Sequence, residues 1–450
     1  MILRAARALH AGLATLGALA CAACSGGAGS GATAPPTAKP VATPSPVPAT
    51  SPQGHVRHIV IVVQENRSFD NLFHACPGAD SASAGLEPDG TPVALEPSSL
   101  AAHYDLGHEH QSALADVDDG RMDGFALEPV MPWKGSKPPV HGQFVYVPTA
   151  QIGPYWAMAK WGVLSDRFFS ELDASFVAHQ YLIAGQAAHA IDVPSGYPWG
   201  CDARPNVKVP IVGPEGTVLR HIPPCFDYAT LGDELDAHVR TWRYYAPTYG
   251  QQAYTWSAYD AIRDVRTTPL WDEHVVAPET RFLSDIAAGK LADVTWVVPS
   301  APNSDHLGTG STTGPAWVSS VVDAVGQSSY WNDCVILVLW DDWGGLYDHV
   351  APPAGDEFGP GFRVPLIVLS PYAVHGVAHT TYTFGSVMRL VEDTFGLPRL
   401  TAVDASAAAF GSDVFDFTER RRAFPHPFGE AGDRERMLST PPSLDPPDDE

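Results

Sequence analysis

Unbroken apolar runs, each stopped by a dense burst of polar residues, constrain the fold of this chain more than any other feature. Val56 to Val63 ends in Gln64-Glu65-Asn66-Arg67-Ser68-Phe69-Asp70-Asn71, and Cys334 to Trp340 ends in Asp341-Asp342-Trp343-Gly344-Gly345. A run of Val, Ile and Leu with no polar alternation is a strand buried on both faces, the hallmark of a parallel sheet covered by helices. Helical patterns fall between such runs. Thr230 with Asp233 caps a helix leading into the strand Thr241 to Ala246, and Pro278 opens and Gly289 closes another ahead of the strand Val294 to Val298. A helix from Pro315 to Val325, the strands Cys334 to Trp340 and Val364 to Leu369, and a helix from Phe384 to Phe395 follow. The expected fold class is α/β, with a mostly parallel central sheet and helices on both faces. Ligands of such sheets bind beyond the carboxyl ends of the strands, which is where the polar bursts lie. With 450 residues, 45% of them hydrophobic, the chain has enough material for one large core.

Charge narrows the partners. The 51 acidic against 27 basic residues give a formal net charge of -24, which repels nucleic acid and excludes it as a partner. The same charge repels a small phosphate ester, so a site for one needs local positive charge from a metal or clustered histidines. At the N-terminus, Arg4 and Arg7 precede an apolar stretch from Ala8 to Ala23, and residues 1–24 read as an export signal too short to span a bilayer. Cys21 and Cys24, followed by Ser25-Gly26-Gly27, resemble the lipid-attachment site of bacterial lipoproteins. Two destinations follow: the envelope through a lipid anchor, or the periplasm or medium without one. Residues 25–54, nearly all Ala, Pro, Thr, Ser and Gly, form a tether reaching roughly 90 Å if extended, residues 55–435 the folded domain, and 436–450 an acidic, Pro-rich tail. Cys201 and Cys225 would close a Pro-rich loop as a disulfide in an oxidising compartment, whereas Cys334 reads as a buried free thiol.

Four segments carry candidate chemistry. Glu65 beside Asn66 offers hard oxygen ligands to a cation, the alternative being a helix start capped by Asn66 or Ser68. Asp341 and Asp342 repel each other unless a cation lies between them, and Gly344-Gly345 allow close backbone approach. Ser175, within Asp173-Ala174-Ser175-Phe176-Val177-Ala178-His179, precedes a helical segment whose positive end suits a phosphate, although a serine there also serves as a cap. Histidines in Asp105-Leu106-Gly107-His108-Glu109-His110 and in Pro302-Asn303-Ser304-Asp305-His306 can stabilise a phosphoryl oxygen or protonate a leaving group.

Taken in order, the Gln64 to Asp70 burst, Gly120 to Phe125, Ser175 to Gly185, Trp340 to Val350 and Gly361 to Tyr372 resemble the phosphoesterase family of bacterial acid phosphatases and phosphocholine-type phospholipases C. The resemblance spans roughly residues 55 to 405 and implies an alkaline-phosphatase-like α/β fold. It further implies that Glu65, Asn66, Asp341 and Asp342 hold a divalent metal ion that also contacts Ser175. Ser175 would be the nucleophile, with His108 and His306 lining the phosphate and His349 nearby. Val177-Ala178 stand where the family often has Pro-Asn, and Asp305 where some relatives have a second histidine. The leading function is an acid-phosphatase-like phosphomonoesterase, since the C-terminal domains of larger relatives have no counterpart after residue 405. The alternatives are a phospholipase C or other phosphodiesterase, with the aromatic-rich stretch Tyr244 to Trp256 as an apolar entrance, and a non-catalytic surface-binding protein that retains the fold.

Overall fold

The apolar runs form an eight-stranded sheet in the computed structural model, which describes residues 51–443 apart from 134, 214–215, 355–357 and 420. Its strands are β1 (His58–Gln64), β2 (Val163–Ser165), β3 (Trp242–Tyr245), β4 (Val275–Val276), β5 (Val294–Val297), β6 (Cys334–Trp340), β7 (Leu366–Leu369) and β8 (Gly376–Ala378). They lie in the spatial order β4, β3, β5, β1, β6, β7, β2, β8. Neighbours from β4 to β6 are parallel, and β2 and β8 are parallel to each other. Strand β7 is reversed, pairing antiparallel with β6 and β2. Its apolar run gave no sign of this, because a strand buried on both faces has the same composition whichever way it points.

Every residue of β5, β6 and β7 is buried, so both faces of the sheet are covered. The covering helices include α1 (Gly153–Trp161), α2 (Ser175–Ala184), α3 (Leu231–Ala237), α4 (Arg281–Ala287), α5 (Gly314–Gly326), α6 (Phe384–Phe395) and α7 (Ala431–Ser439). Helix α5 packs against α1, α4, α7 and β1, while α2 packs against α3 and α6. The indole N–H of Trp296 in β5 donates to the Leu182 carbonyl at 3.3 Å and pins α2 to the sheet. Helix α3 starts at a capping box, the Asp233 carboxylate accepting from the Thr230 N–H at 2.7 Å and the Asp233 N–H donating to the Thr230 hydroxyl at 3.3 Å. A separate three-stranded sheet places Phe168–Glu171 between Pro360–Arg363 and Tyr382–Thr383, and its central strand leads into the turn before Ser175.

The fold continues past residue 435, because α7 runs to Ser439 and buries Met437 in the main core. The expected export signal at 1–24, most of the expected tether at 25–54, and the acidic end Asp445 to Glu450 lie outside the described residues. Cys201 and Cys225 form a disulfide, and Cys334 is a buried free thiol. Among the described residues no helix is long and apolar enough to cross a membrane.

Candidate metal and phosphate site

Register alone brings the two polar bursts together. Strands β1 and β6 are parallel, with Gln64 opposite Trp340, so Glu65 and Asp341 leave the sheet as neighbours. The ladder persists for two more rungs: the Asp341 N–H donates to the Gln64 carbonyl at 2.9 Å, and the Arg67 N–H to the Asp342 carbonyl at 3.0 Å. Asn66 takes a left-handed backbone conformation (φ 57°), which asparagine tolerates better than most residues. Its own N–H donates to Asp341 Oδ1 at 2.9 Å. Gly344 packs against this turn, and a Cβ there would fall 2.7 Å from both the Cβ and the carbonyl oxygen of Asn66. Only glycine fits at this approach.

Ser175 is the first residue of α2, with Ala174 as the N-cap, so its hydroxyl is not spent on capping. Instead Oγ donates to Asp342 Oδ2 at 2.8 Å. The turn ahead of it is braced by Asp173, whose Oδ1 accepts from the Ala174 N–H at 2.8 Å and the Asp192 N–H at 2.7 Å. His110 Nδ1 lies 3.0 Å from the other oxygen of Asp173, so His110 belongs to this brace. Burial pushes the Asp173 carboxyl up to about 6 against the pull of His110. One helical turn beyond Ser175, and on the same face, His179 Nε2 lies 3.2 and 3.4 Å from the Glu65 oxygens and 3.5 Å from Asp341 Oδ2. Sequence reasoning gave His179 no role; its four-residue spacing from Ser175 was the available signal.

Hydrogen-bond direction fixes the orientation of the Asn66 amide. His108 Nδ1 lies 2.8 Å from the Leu106 carbonyl, which only accepts, so Nδ1 carries the proton. In the neutral imidazole Nε2 is then the acceptor for Asn66 Nδ2 at 2.9 Å. This leaves Asn66 Oδ1 buried with no hydrogen-bond donor, and Asp341 Oδ2 is in the same position. An unsatisfied buried acceptor costs about 1–3 kcal/mol, more if charged, and such atoms grouped beside further carboxylates suit a cation. Burial raises the Asp341 carboxyl, but the nearby His179 imidazole, with Nε2 3.5 Å from Oδ2, outweighs it and holds the group below its ordinary value. Asp342 is driven the other way, well above the usual range, by burial and then by the charge of Asp341. Without a cation the adjacent carboxylates therefore resist ionising together. The oxygen-rich donor set of Glu65, Asn66, Asp341 and Asp342 fits a divalent ion.

The histidine loop is anchored to the same strand end. Gln64 Nε2 donates to the Asn303 carbonyl at 2.9 Å, and Gln64 Oε1 accepts from the Asp305 N–H at 2.9 Å. His306 Nδ1 donates to the Leu307 carbonyl, so in the neutral imidazole Nε2 carries the lone pair. Its ring lies 6.0 Å from that of His108 and stacks on Trp256 at 5.8 Å. Asp305 accepts from the Tyr155 hydroxyl at 2.8 Å and the Trp340 indole at 3.1 Å, which makes it a support of the loop.

The structure thus gathers Glu65, Asn66, Ser175, Asp341, Asp342, His108 and His306. His349 is held elsewhere: Nδ1 lies 2.6 Å from Asp70 Oδ2 and Nε2 3.0 Å from Asp80 Oδ1, in a group that includes Asp348 and Arg363.

A model of the Phosphoesterase family matches residues 56–398, which contain every one of these side chains. The chain is 25% identical over 405 residues to a non-hemolytic phospholipase C of Pseudomonas aeruginosa, covering 76% of this chain and 54% of that enzyme. It therefore spans about half the length of that relative. It is 23% identical over 457 residues to phospholipase C B of Mycobacterium tuberculosis, covering 86% of this chain and 82% of that enzyme. Among solved structures, a Vibrio parahaemolyticus protein of the alkaline phosphatase superfamily aligns with 10% identity and a TM-score of 0.39, covering 80% of this chain and 72% of that one. With most of its folded length inside the family match, and the polar bursts of β1 and β6 within it, the chain belongs to the Phosphoesterase family.

Proposed function

We propose that the chain hydrolyses phosphate esters with Ser175 as nucleophile, at a centre where Glu65, Asn66, Asp341 and Asp342 hold a divalent cation. The observation that carries this reading is the Ser175 hydroxyl, directed at Asp342 at 2.8 Å, beside two buried acceptors without donors, Asn66 Oδ1 and Asp341 Oδ2. The bound cation would favour ionisation of the serine and offset charge on the phosphoryl oxygens. As Oγ attacks phosphorus its proton passes to Asp342 Oδ2, 2.8 Å away, and returns to Oγ when phosphoserine is cleaved. His306, starting as the imidazolium, gives its Nε2 proton to the departing ester oxygen, and the same nitrogen then takes a proton from the water that cleaves phosphoserine. His108 faces the same phosphate and keeps the Asn66 amide turned so that Oδ1 is presented as a ligand.

For the substrate, the deep burial of Ser175, His108 and His306 favours a slender terminal phosphoryl group, as in the acid-phosphatase-like monoesterase reading. Phosphodiester cleavage of the phospholipase C type is the second reading, favoured by the names of the relatives at 23–25% identity. The Cys201–Cys225 disulfide supports export to an oxidising compartment, through the proposed signal at 1–24, with or without a lipid anchor at Cys21 or Cys24. The test is hydrolysis of an aryl phosphate and of phosphatidylcholine, with and without chelator, beside Ser175→Ala. Chelator-sensitive turnover of either substrate that is lost in the variant is expected, and the preferred substrate assigns the subclass. Turnover of neither, with every divalent ion supplied, would return the chain to a binding role.

A further inference from the structure

The helix that carries the nucleophile presents a second side chain to the same two carboxylates that follow β1 and β6. Ser175 and His179 share one face of α2, and both are buried. His179 Nε2 meets Glu65 Oε1 at 3.2 Å, Glu65 Oε2 at 3.4 Å and Asp341 Oδ2 at 3.5 Å. A charge-assisted N–H···O bond between imidazole and carboxylate closes to about 2.7–2.9 Å. None of the three contacts does so. Donors around one ion are spaced more widely on the whole: bonds of about 2.0–2.2 Å at octahedral to tetrahedral angles put neighbouring donors roughly 2.8–3.6 Å apart. The two shortest separations linking His179 to the different carboxylates, 3.2 and 3.5 Å, fall inside that interval. Asp341 Oδ2, the atom at 3.5 Å from the imidazole, is also one of the buried acceptors without a hydrogen bond.

We infer that His179 is itself a metal ligand, joining Glu65 and Asp341 in a mixed nitrogen and oxygen donor set. This inference rests on the metal reading of the site given above and extends it in two ways. First, one imidazole among carboxylates moves the centre's preference from hard ions such as Mg2+ toward borderline ions such as Zn2+ or Co2+. Second, because His179 sits one turn from Ser175, the ion fixes the rotation of α2 about its axis, and with it the direction of the nucleophile. The Val177-Ala178 pair between them departs from the Pro-Asn common in the resembling family, so this helix start is where the chain's own metal chemistry would differ.

The test uses the full chain, stripped of metal by chelation and titrated with Co2+, Zn2+, Mn2+ and Mg2+ by calorimetry. Pulsed EPR of the Mn2+-loaded chain then detects nitrogen bound to the ion. The expected result is 14N coupling in the parent and in His306→Gln, lost in His179→Gln, together with a fall in Co2+ and Zn2+ affinity greater than the 10- to 100-fold (about) that outer-shell partners contribute. The fall for Mg2+ should be smaller. Labelling the parent's histidines with 15N must change the coupling to that isotope, a readout that needs no variant to fold. An ion bound without nitrogen coupling, or with coupling that survives His179→Gln, overturns the inference and leaves the metal reading standing. No divalent binding by the parent overturns both.

Discussion

Two buried acidic groups grow from the same pair of segments and end as different things. Glu65 and Asp341 directly follow β1 and β6, and a few residues further along the same loops come Asp70 and Asp348. Each pair has a histidine beside it, His179 in the first group and His349 in the second, and each has the spacing to hold a metal. The second group has a resident cation. The Arg363 guanidinium, fully buried, reaches Asp348 at 2.9 Å and Asp70 at 3.1 Å and lies 4.4 Å from the centre of the Phe69 ring. Burial still pushes Asp348 up to about 6, against the charge of Arg363. In the first group no arginine or lysine pairs with Asp341 or Asp342 among the described residues, and acceptors are left over. The same ingredients therefore make an ion-pair lock where a guanidinium is built in, and a candidate metal site where it is omitted.

The largest effect expected to separate the groups is on turnover. Ser175→Ala should lower kcat for the preferred phosphate ester by at least about 10,000-fold with the melting temperature little changed, whereas His349→Gln should lower it by less than about 10-fold. A comparable loss in both, measured as steady-state kcat, would erase the distinction. Next in size, Arg363→Met leaves Asp70 and Asp348 buried without their cation and should cost about 3–5 kcal/mol of stability in denaturant unfolding. Chelation should then act on the first group alone. Removing an ion present at a hundredfold excess over its Kd should cost about 2.7 kcal/mol in the parent, and nothing in Asp341→Asn.

The smallest effect is a pH dependence. Burial alone would depress His349, but the hydrogen bond and charge of Asp70, then Asp348, outweigh it and hold the imidazole above its ordinary value. A histidine raised in the folded state contributes stability that is full below about 6.5 and disappears as pH rises through the folded value. Melting temperature followed from pH 5 to 9 should therefore fall less steeply through that window in His349→Gln than in the parent.

What was legible from sequence follows the same physics. The strands Cys334 to Trp340 and Val56 to Val63 were visible because burial on both faces forces continuous apolar runs, and the site residues stood out because they interrupt those runs. Glu65, Asn66, Asp341 and Asp342 were found this way, and strand register then made them neighbours. The reversal of β7 was hidden, since apolar composition carries no direction. His179 was hidden inside an apolar helix, where one histidine four residues from a serine is a weak signal. His349 was read with the phosphate site from its place in the Asp-rich burst, but its partners Asp70 and Asp80 come from far away in the sequence and Arg363 from a later strand.

The most direct test of the central claim is to mix the metal-loaded chain with a phosphate ester, quench it in acid within the first turnovers, and map the modified peptide by mass spectrometry. Covalent phosphate on Ser175, absent after chelation, is the expected result. Turnover with no phosphate on any residue, or with phosphate on a residue other than Ser175, would contradict it.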